Sequence, residues 1–161
     1  MDLGLNEQQT LLGRTAREFL EAECPITLVR ELEDNGLGYS ADLWKKMAEL
    51  GWMGLVFPER YGGSELKFLD LTILLEEMGR ALLPAPFVST VALCGLPITL
   101  AGTEEQKGEF VAKIARGEMI LTLALTEASA RYDADAITVR ATPEGDNFVI
   151  NGTKLFVADA H

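Results

Sequence analysis

Histidine, cysteine and positive charge are all scarce in this sequence of 161 residues. The one histidine is the last residue, His161, which argues against a Ser-His-Asp triad, a histidine-based zinc site or an internal histidine base. The two cysteines, Cys24 and Cys94, have no metal-binding spacing, so we expect buried thiols in the reducing cytoplasm and no metal site. Acids outnumber bases 25 to 14, and the net charge of -11 argues against nonspecific binding to nucleic acid or anionic lipid.

A long unbroken hydrophobic run is also missing. Residues 81–103 carry no charge and could reach across a bilayer by length, but prolines and glycines interrupt them. The interrupting residues are Pro84, Pro86, Gly95, Pro97 and Gly102. We therefore favour a buried core helix there and expect no membrane insertion. The acid Asp2 stands where a secretory signal needs basic residues.

Helical periodicity dominates the first two thirds of the chain, and the apolar content of 48% is enough for a buried core. Asn6, Ser40 and Thr103 have the residue types and spacing of helix N-caps. The predicted helices span residues 6–24, 26–34, 41–50, 68–80, 87–96 and 103–116. Within the helix at 68–80, the polar residues Asp70, Glu76, Glu77 and Arg80 are predicted to face mostly outward. Residues 52–64, rich in glycine, are predicted to be irregular and to serve packing.

The hydrophobic period changes after Gly117, where an all-helical domain (1–117) is expected to give way to a β domain (118–161). Residues 144–147 are predicted to form a hairpin turn, and residues 151–154 are also interpreted as a hairpin. The predicted strands lie within residues 119–125, 137–141, 148–150 and 155–157. So few strands cannot bury both faces of a sheet, and we expect the sequence to be a fragment that stops inside its β domain.

Four segments, in order and spacing, resemble the acyl-CoA dehydrogenase family. They are GWMGLVFPERYGG at 51–63, LEEMGRA at 75–81, the stretch 103–127 that ends in LALTE, and NGTK at 151–154. The resemblance covers nearly the whole chain. It implies a helical N-terminal domain, a central β-barrel domain and a C-terminal four-helix bundle. The fold class expected for this chain is therefore mainly α: the helical domain followed by the first strands of the barrel.

The resemblance also implies a reaction. The family oxidises the α–β carbon bond of an acyl-CoA thioester: a glutamate removes the α-proton while the β-hydrogen leaves as hydride to N5 of FAD. Electrons then pass to an electron-transfer flavoprotein, and the usual assembly is a homo- or hetero-tetramer. Fatty acid or lipid degradation is the expected setting. The glutamate is expected beyond residue 161, so we predict no catalytic residue here and no activity of this chain alone.

By the same resemblance, two parts of the chain correspond to flavin-lining segments. The cofactor-binding candidates are Leu123, Leu125 and Thr126 in the first part, and Phe156, Val157 and Ala158 in the second. Phe156 stands where the family has a tryptophan packed on the flavin. From the residues alone, the leucines could be strand core, Phe156 a barrel-core aromatic, and Thr126-Glu127 an ordinary exposed loop.

The sequence departs from the family pattern at both places. The family loop reads Thr-Glu-Pro, two small residues, then Gly-Ser-Asp, whereas here the proline is absent and Arg131 and Tyr132 replace Gly and Ser. Arg131 and Tyr132 are therefore candidates for substrate binding, with the Arg131 charge directed at pyrophosphate or CoA. Ala158 lacks the hydroxyl that the family places near flavin N5. The alternatives are an acyl-CoA dehydrogenase with an altered loop, a flavin-free structural subunit of a heteromeric enzyme, and an unrelated helical interaction module.

Overall fold

The computed structural model describes residues 4–34, 36–131 and 133–160. The chain divides into two compact units: unit 1 extends to Leu121, and unit 2 begins at Thr122. Unit 1 is helical, and unit 2 contains a two-stranded antiparallel sheet. The architecture is therefore mainly α, as predicted, while the domain boundary predicted at residues 117–118 stays a prediction.

The helices of unit 1 begin at the caps that the sequence indicates. Asn6 Oδ1 accepts from the N–H of Gln9 at 2.8 Å, and Gln9 Oε1 accepts from the N–H of Asn6 at 3.1 Å. Ser40 and Thr103 cap later helices through their hydroxyls. Because these bonds span three residues, local sequence decides them. The first four helices are α1 (Glu7–Glu23), α2 (Ile26–Glu33), α3 (Ala41–Glu49) and α4 (Phe68–Arg80).

The irregular segment between α3 and α4 packs inward, as predicted. It contains two short 3₁₀ turns, Trp52–Gly54 and Glu59–Tyr61, and its Phe57 ring is fully buried. Gly63 lies so close to Phe57 that an added Cβ would stand 2.0 Å from the Phe57 carbonyl oxygen. Any side chain at position 63 would therefore push the segment apart, which explains the glycine in physical terms.

The helix predicted at 87–96 is longer than expected. A π-helical stretch, Val88–Gly95, continues directly into α5 (Leu96–Ala101). Pro97 lies in the first turn of α5, where a missing N–H is tolerated. A second continuous helix follows, built from α6 (Glu104–Gln106), a π-helical stretch (Lys107–Val111) and α7 (Ala112–Ala115).

The core of unit 1 is apolar and draws on every part of the unit. Its fully buried members include Leu20, Met47, Met53, Phe57, Leu71, Leu74, Phe87, Val91, Val111 and Ile114. Among the described residues, no helix combines the length and the apolar character that a membrane crossing requires.

Glu77 was predicted to face outward on α4, and this prediction was wrong, because only 6% of the residue is exposed. Its carboxylate lies between two guanidinium groups: Arg17 Nη2 donates at 2.6 Å and Arg80 Nε at 2.8 Å. The bond from Arg17, opposed by burial and supported by Arg80, lowers the pKa of Glu77 to about 2. A carboxylate can be buried when it is paired in this way, and here it joins α1 to α4.

Unit 2 contains the hairpin predicted around residues 144–147. Strand β1 (Arg140–Glu144) pairs antiparallel with β2 (Asn147–Asn151), and Gly145 takes a positive φ of 62° in the turn. In the described residues, 119–125 and 155–157 form no strand, so those two predictions were wrong. Apolar alternation alone does not make a strand, since a strand needs a ladder of backbone bonds along a neighbour.

The hairpin interpretation of residues 151–154 was also wrong. Asn151 ends β2, and the chain leaves the strand through Gly152. A Cβ on Gly152 would lie 2.3 Å from Cγ2 of Val139, so the glycine permits a close approach rather than a turn. The approach brings Lys154 towards the start of unit 2.

Candidate functional site

Two stretches of unit 2, residues 122–127 (segment A) and 154–158 (segment B), lie side by side and run in opposite directions. The hydroxyl of Thr122 donates to the carbonyl of Ala158 at one end. The N–H of Leu155 donates to the carbonyl of Thr126 at 2.8 Å near the other. The structure thus brings together the two sets of residues predicted to line a flavin, although they are about thirty positions apart in the sequence.

Their exposures differ in a way that bears on their roles. Thr126 is buried, Leu125 and Val157 are half-buried, and Leu123 is 44% exposed. Phe156 is 90% exposed and has a positive φ of 52°. Among the described residues, neither Leu123 nor Phe156 is buried. Their role in binding a flavin remains a prediction.

A buried carboxylate, Glu127, joins segment A to the rest of unit 2. Its side chain is 8% exposed. Glu127 Oε1 accepts from Lys154 Nζ at 2.7 Å and from the N–H of Val139 at 3.0 Å. Oε2 accepts from the N–H of Thr138 at 2.8 Å and also from the Thr138 hydroxyl. The interpretation of Glu127 as an ordinary exposed loop residue was therefore wrong.

The four donors keep Glu127 ionised. The Lys154 ammonium makes the largest contribution, followed by the Thr138 hydroxyl and N–H and by the N–H of Val139; together they lower the pKa of Glu127 to about 2. Hydrogen bonds to a charged carboxylate favour that form. The one sequence signal for the pair is that its two charges lie in two of the motifs on which the family resemblance rests, LALTE and NGTK.

Arg131, a candidate for substrate binding, is exposed and paired with acids of its own loop. Its Nη2 lies 3.0 Å from Asp133 Oδ2 and 3.5 Å from Asp135 Oδ1. The second candidate, Tyr132, lies outside the described residues. No nucleophile–base pair adjoins Arg131 among the contacts of the described residues, and the predicted substrate role of both residues remains a prediction.

The donor set fits the ring end of FAD. A reduced flavin gathers negative charge, which hydroxyl and backbone N–H donors stabilise, and Thr126 carries a hydroxyl. The exposed Phe156 ring offers a flat face on which another ring can stack. The fit to pyrophosphate is weaker, because Asp133 and Asp135 offset the Arg131 charge. Phosphate contacts are therefore expected from backbone N–H groups rather than from Arg131 alone.

The chain is similar to known proteins of one family. The family model described as "Acyl-CoA dehydrogenase, N-terminal domain" matches residues 6–118. The chain is 36% identical over 156 residues to the 3-(aryl)acrylate reductase of Clostridium sporogenes, covering 96% of this chain and 41% of that protein. It is 34% identical over 161 residues to the short-chain specific acyl-CoA dehydrogenase of Clostridium acetobutylicum, covering 99% of this chain and 42% of that protein.

Solved structures give the same result. The Tcur3481-Tcur3483 steroid ACAD matches with a TM-score of 0.81 and 32% identity, over 99% of this chain and 42% of that one. The chain thus spans about two fifths of the length of the proteins that it matches. The matched residues of this chain lie in both unit 1 and unit 2.

Proposed function

This chain belongs to the acyl-CoA dehydrogenase family, and we propose that it forms the front part of an FAD-dependent enzyme acting on the α–β carbon bond of an acyl-CoA thioester. The observation that carries the proposal is the side-by-side placement of segments A and B. A flavin ring needs donors and a flat apolar contact from one surface, and these segments offer both.

In this proposal each residue has a simple task. Thr126 directs its hydroxyl and backbone towards the part of the ring that gains negative charge, and Phe156 covers a face of the ring. Leu123, Leu125 and Val157 exclude water from its surroundings. FAD, when bound, supplies the acceptor for the β-hydrogen, which leaves the substrate as hydride. No described residue is assigned to the removal of the α-proton in this proposal, and we expect no dehydrogenation by the chain alone.

The direction of the reaction is part of the proposal. The Clostridium acetobutylicum relative is named a dehydrogenase and the Clostridium sporogenes relative a reductase, so related proteins are named for both oxidation and reduction. We propose the oxidative direction in fatty acid or lipid degradation, with an electron-transfer flavoprotein as acceptor. The protein would act in the cytoplasm as a homo- or hetero-tetramer.

The test uses the complete protein, expressed from its whole gene and purified. We expect a yellow protein whose flavin absorbance bleaches when acyl-CoA is added without oxygen. CoA without an acyl group should leave the colour unchanged. A protein that carries flavin and ignores acyl-CoA of every chain length would contradict the substrate class.

The second candidate function is a flavin-free structural subunit of a heteromeric enzyme. The observation that favours it is the loop of Arg131, where two acids hold the cation that could otherwise meet a pyrophosphate. A colourless protein that co-purifies with a yellow partner would support this function over the first.

A further inference from the structure

Glu127 and Lys154 lie outside the predicted flavin-lining residues, yet they adjoin both groups of them. Glu127 directly follows Thr126, and Lys154 comes two residues before Phe156. The carboxylate and the ammonium meet at 2.7 Å. This ion pair therefore spans the gap between segment A and segment B.

The pair also holds backbone on each side. Lys154 Nζ donates to the carbonyl of Leu125 at 3.2 Å, next to Thr126. Glu127 accepts from the N–H groups of Thr138 and Val139, which lead into strand β1. Removing the carboxylate takes the acceptor away from Lys154, Thr138 and Val139, and removing the ammonium takes a donor away from Glu127 and from the Leu125 carbonyl. The pair is thus a junction that fixes three parts of unit 2.

Apolar packing offers little support in the same place. Among the described residues of unit 2, only Thr126, Glu127 and Ala136 are buried. Within the described residues, segments A and B are joined by polar contacts. A ring bound across both segments needs the spacing between them to hold within a fraction of an ångström.

We propose that Glu127 and Lys154 are positioning residues, which hold Thr126 and Phe156 at the separation that a flavin ring requires. This inference rests on the proposed function. In this role the pair acts through segments A and B and needs no contact with the ring or the substrate. Its loss should therefore change how the flavin is bound before it changes whether the protein is folded.

The test compares Lys154→Met with wild type in the complete protein loaded with FAD. We expect FAD to bind at least about tenfold more weakly, since charge-assisted bonds to segment A are lost. We also expect an altered visible circular dichroism of the bound flavin, measured well below the melting temperature. Lys154→Arg, which keeps a positive charge and hydrogen-bond donors, should have an FAD affinity and a flavin dichroism closer to those of wild type. Lys113→Met, which removes a lysine paired with Glu109 at 3.4 Å in unit 1, is the matched control and should change neither.

Each outcome decides a different point. Wild type without flavin would overturn the proposed function and this inference with it. Wild type with flavin, together with a Lys154→Met protein of unchanged FAD affinity and unchanged dichroism, would overturn only the positioning role, even if the melting temperature falls. Should Lys154→Met fail to fold, Thr138→Val removes one donor to Glu127 and should produce a smaller change of the same kind, with Thr138→Ser as its control. Unchanged affinity and dichroism in Thr138→Val would then overturn the role.

Discussion

The two units of this chain are stabilised in different ways. Unit 1 buries a large apolar core that includes Phe57, Met53 and Leu74. Unit 2, in its described residues, is centred instead on the buried carboxylate Glu127 and its four donors. Apolar burial is non-directional, whereas hydrogen bonds fix distances and angles. The comparison teaches that directional contacts join the described residues of the part predicted to bind a cofactor, whereas apolar burial joins those of unit 1.

Unit 1 also contains a buried carboxylate, and it serves a different purpose. Glu77 joins α1 to α4 within an already packed core, with Arg17 and Arg80 reaching it from the surface. Loss of Glu77 would leave that core in place. Loss of Glu127 would remove the acceptor that joins Lys154, Thr138 and Val139. The predictions below test this contrast.

The largest effect is expected from Phe57→Ala in unit 1. The ring is fully buried, and its removal should lower the free energy of unfolding by about 3–5 kcal/mol through lost burial and a cavity. Urea denaturation followed by far-ultraviolet circular dichroism measures the loss. Phe148→Ala in unit 2 is the control, because that ring is 67% exposed and should change stability by less than about 1 kcal/mol. Equal losses in both variants would refute the contrast.

A local effect is expected from Glu127→Gln. The amide carries no charge to pair with Lys154, and its single oxygen cannot accept from all four donors, so the amides of Thr138 and Val139 should exchange with deuterium at least about tenfold faster. Amides in the core of unit 1 should keep their rates. Asp135→Asn removes an exposed acid of the same unit and serves as the control. If exchange quickens equally throughout the chain, the effect is not local to unit 2.

Acid should weaken both units through their buried carboxylates. Both pKa values are lowered from an ordinary 4.5 to about 2, so the stability from each pair is complete above pH 4.5 and is lost as the pH falls towards 2. Glu77→Gln should reduce the loss of stability of unit 1 as the pH falls. Glu127→Gln should do the same for unit 2. Hydrogen exchange measured from about pH 5 downward separates the two units. A variant that reduces the acid sensitivity of both units would show that one carboxylate stabilises both units.

The smallest effect is expected from Lys45→Ala. Lys45 and Glu49 lie 3.9 Å apart on the surface of α3, and the lysine side chain is 77% exposed. Such a pair contributes about 0.5 kcal/mol or less to the free energy of unfolding. A loss of more than about 1 kcal/mol in urea denaturation would show that surface charge supports unit 1 as well as its core.

Local sequence was enough for much of unit 1. The capping contacts of Asn6 and Thr103 join residues three positions apart, so their patterns can be identified in the printed sequence. The apolar period placed α4 at its observed bounds. The helix end expected at residue 96 failed because π-helical bonding up to Gly95 lets Pro97 begin a further helical segment.

Long-range pairs could not be predicted in the same way. Arg17 and Glu77 are 60 positions apart, and Glu127 and Lys154 are 27 apart. An acid on a helix or after an apolar run is usually solvated, so both glutamates were assigned to the surface. The family resemblance located the motifs that contain Glu127 and Lys154, but it did not indicate that the two charges meet.

Amide exchange of the complete protein, with and without FAD, tests the central claim most directly. If segments A and B hold the ring, FAD should slow exchange at Leu125, Phe156 and their neighbours and leave the core of unit 1 around Met47 unchanged. Protection spread evenly over both units, or none in either segment of a protein that does bind FAD, would contradict the claim.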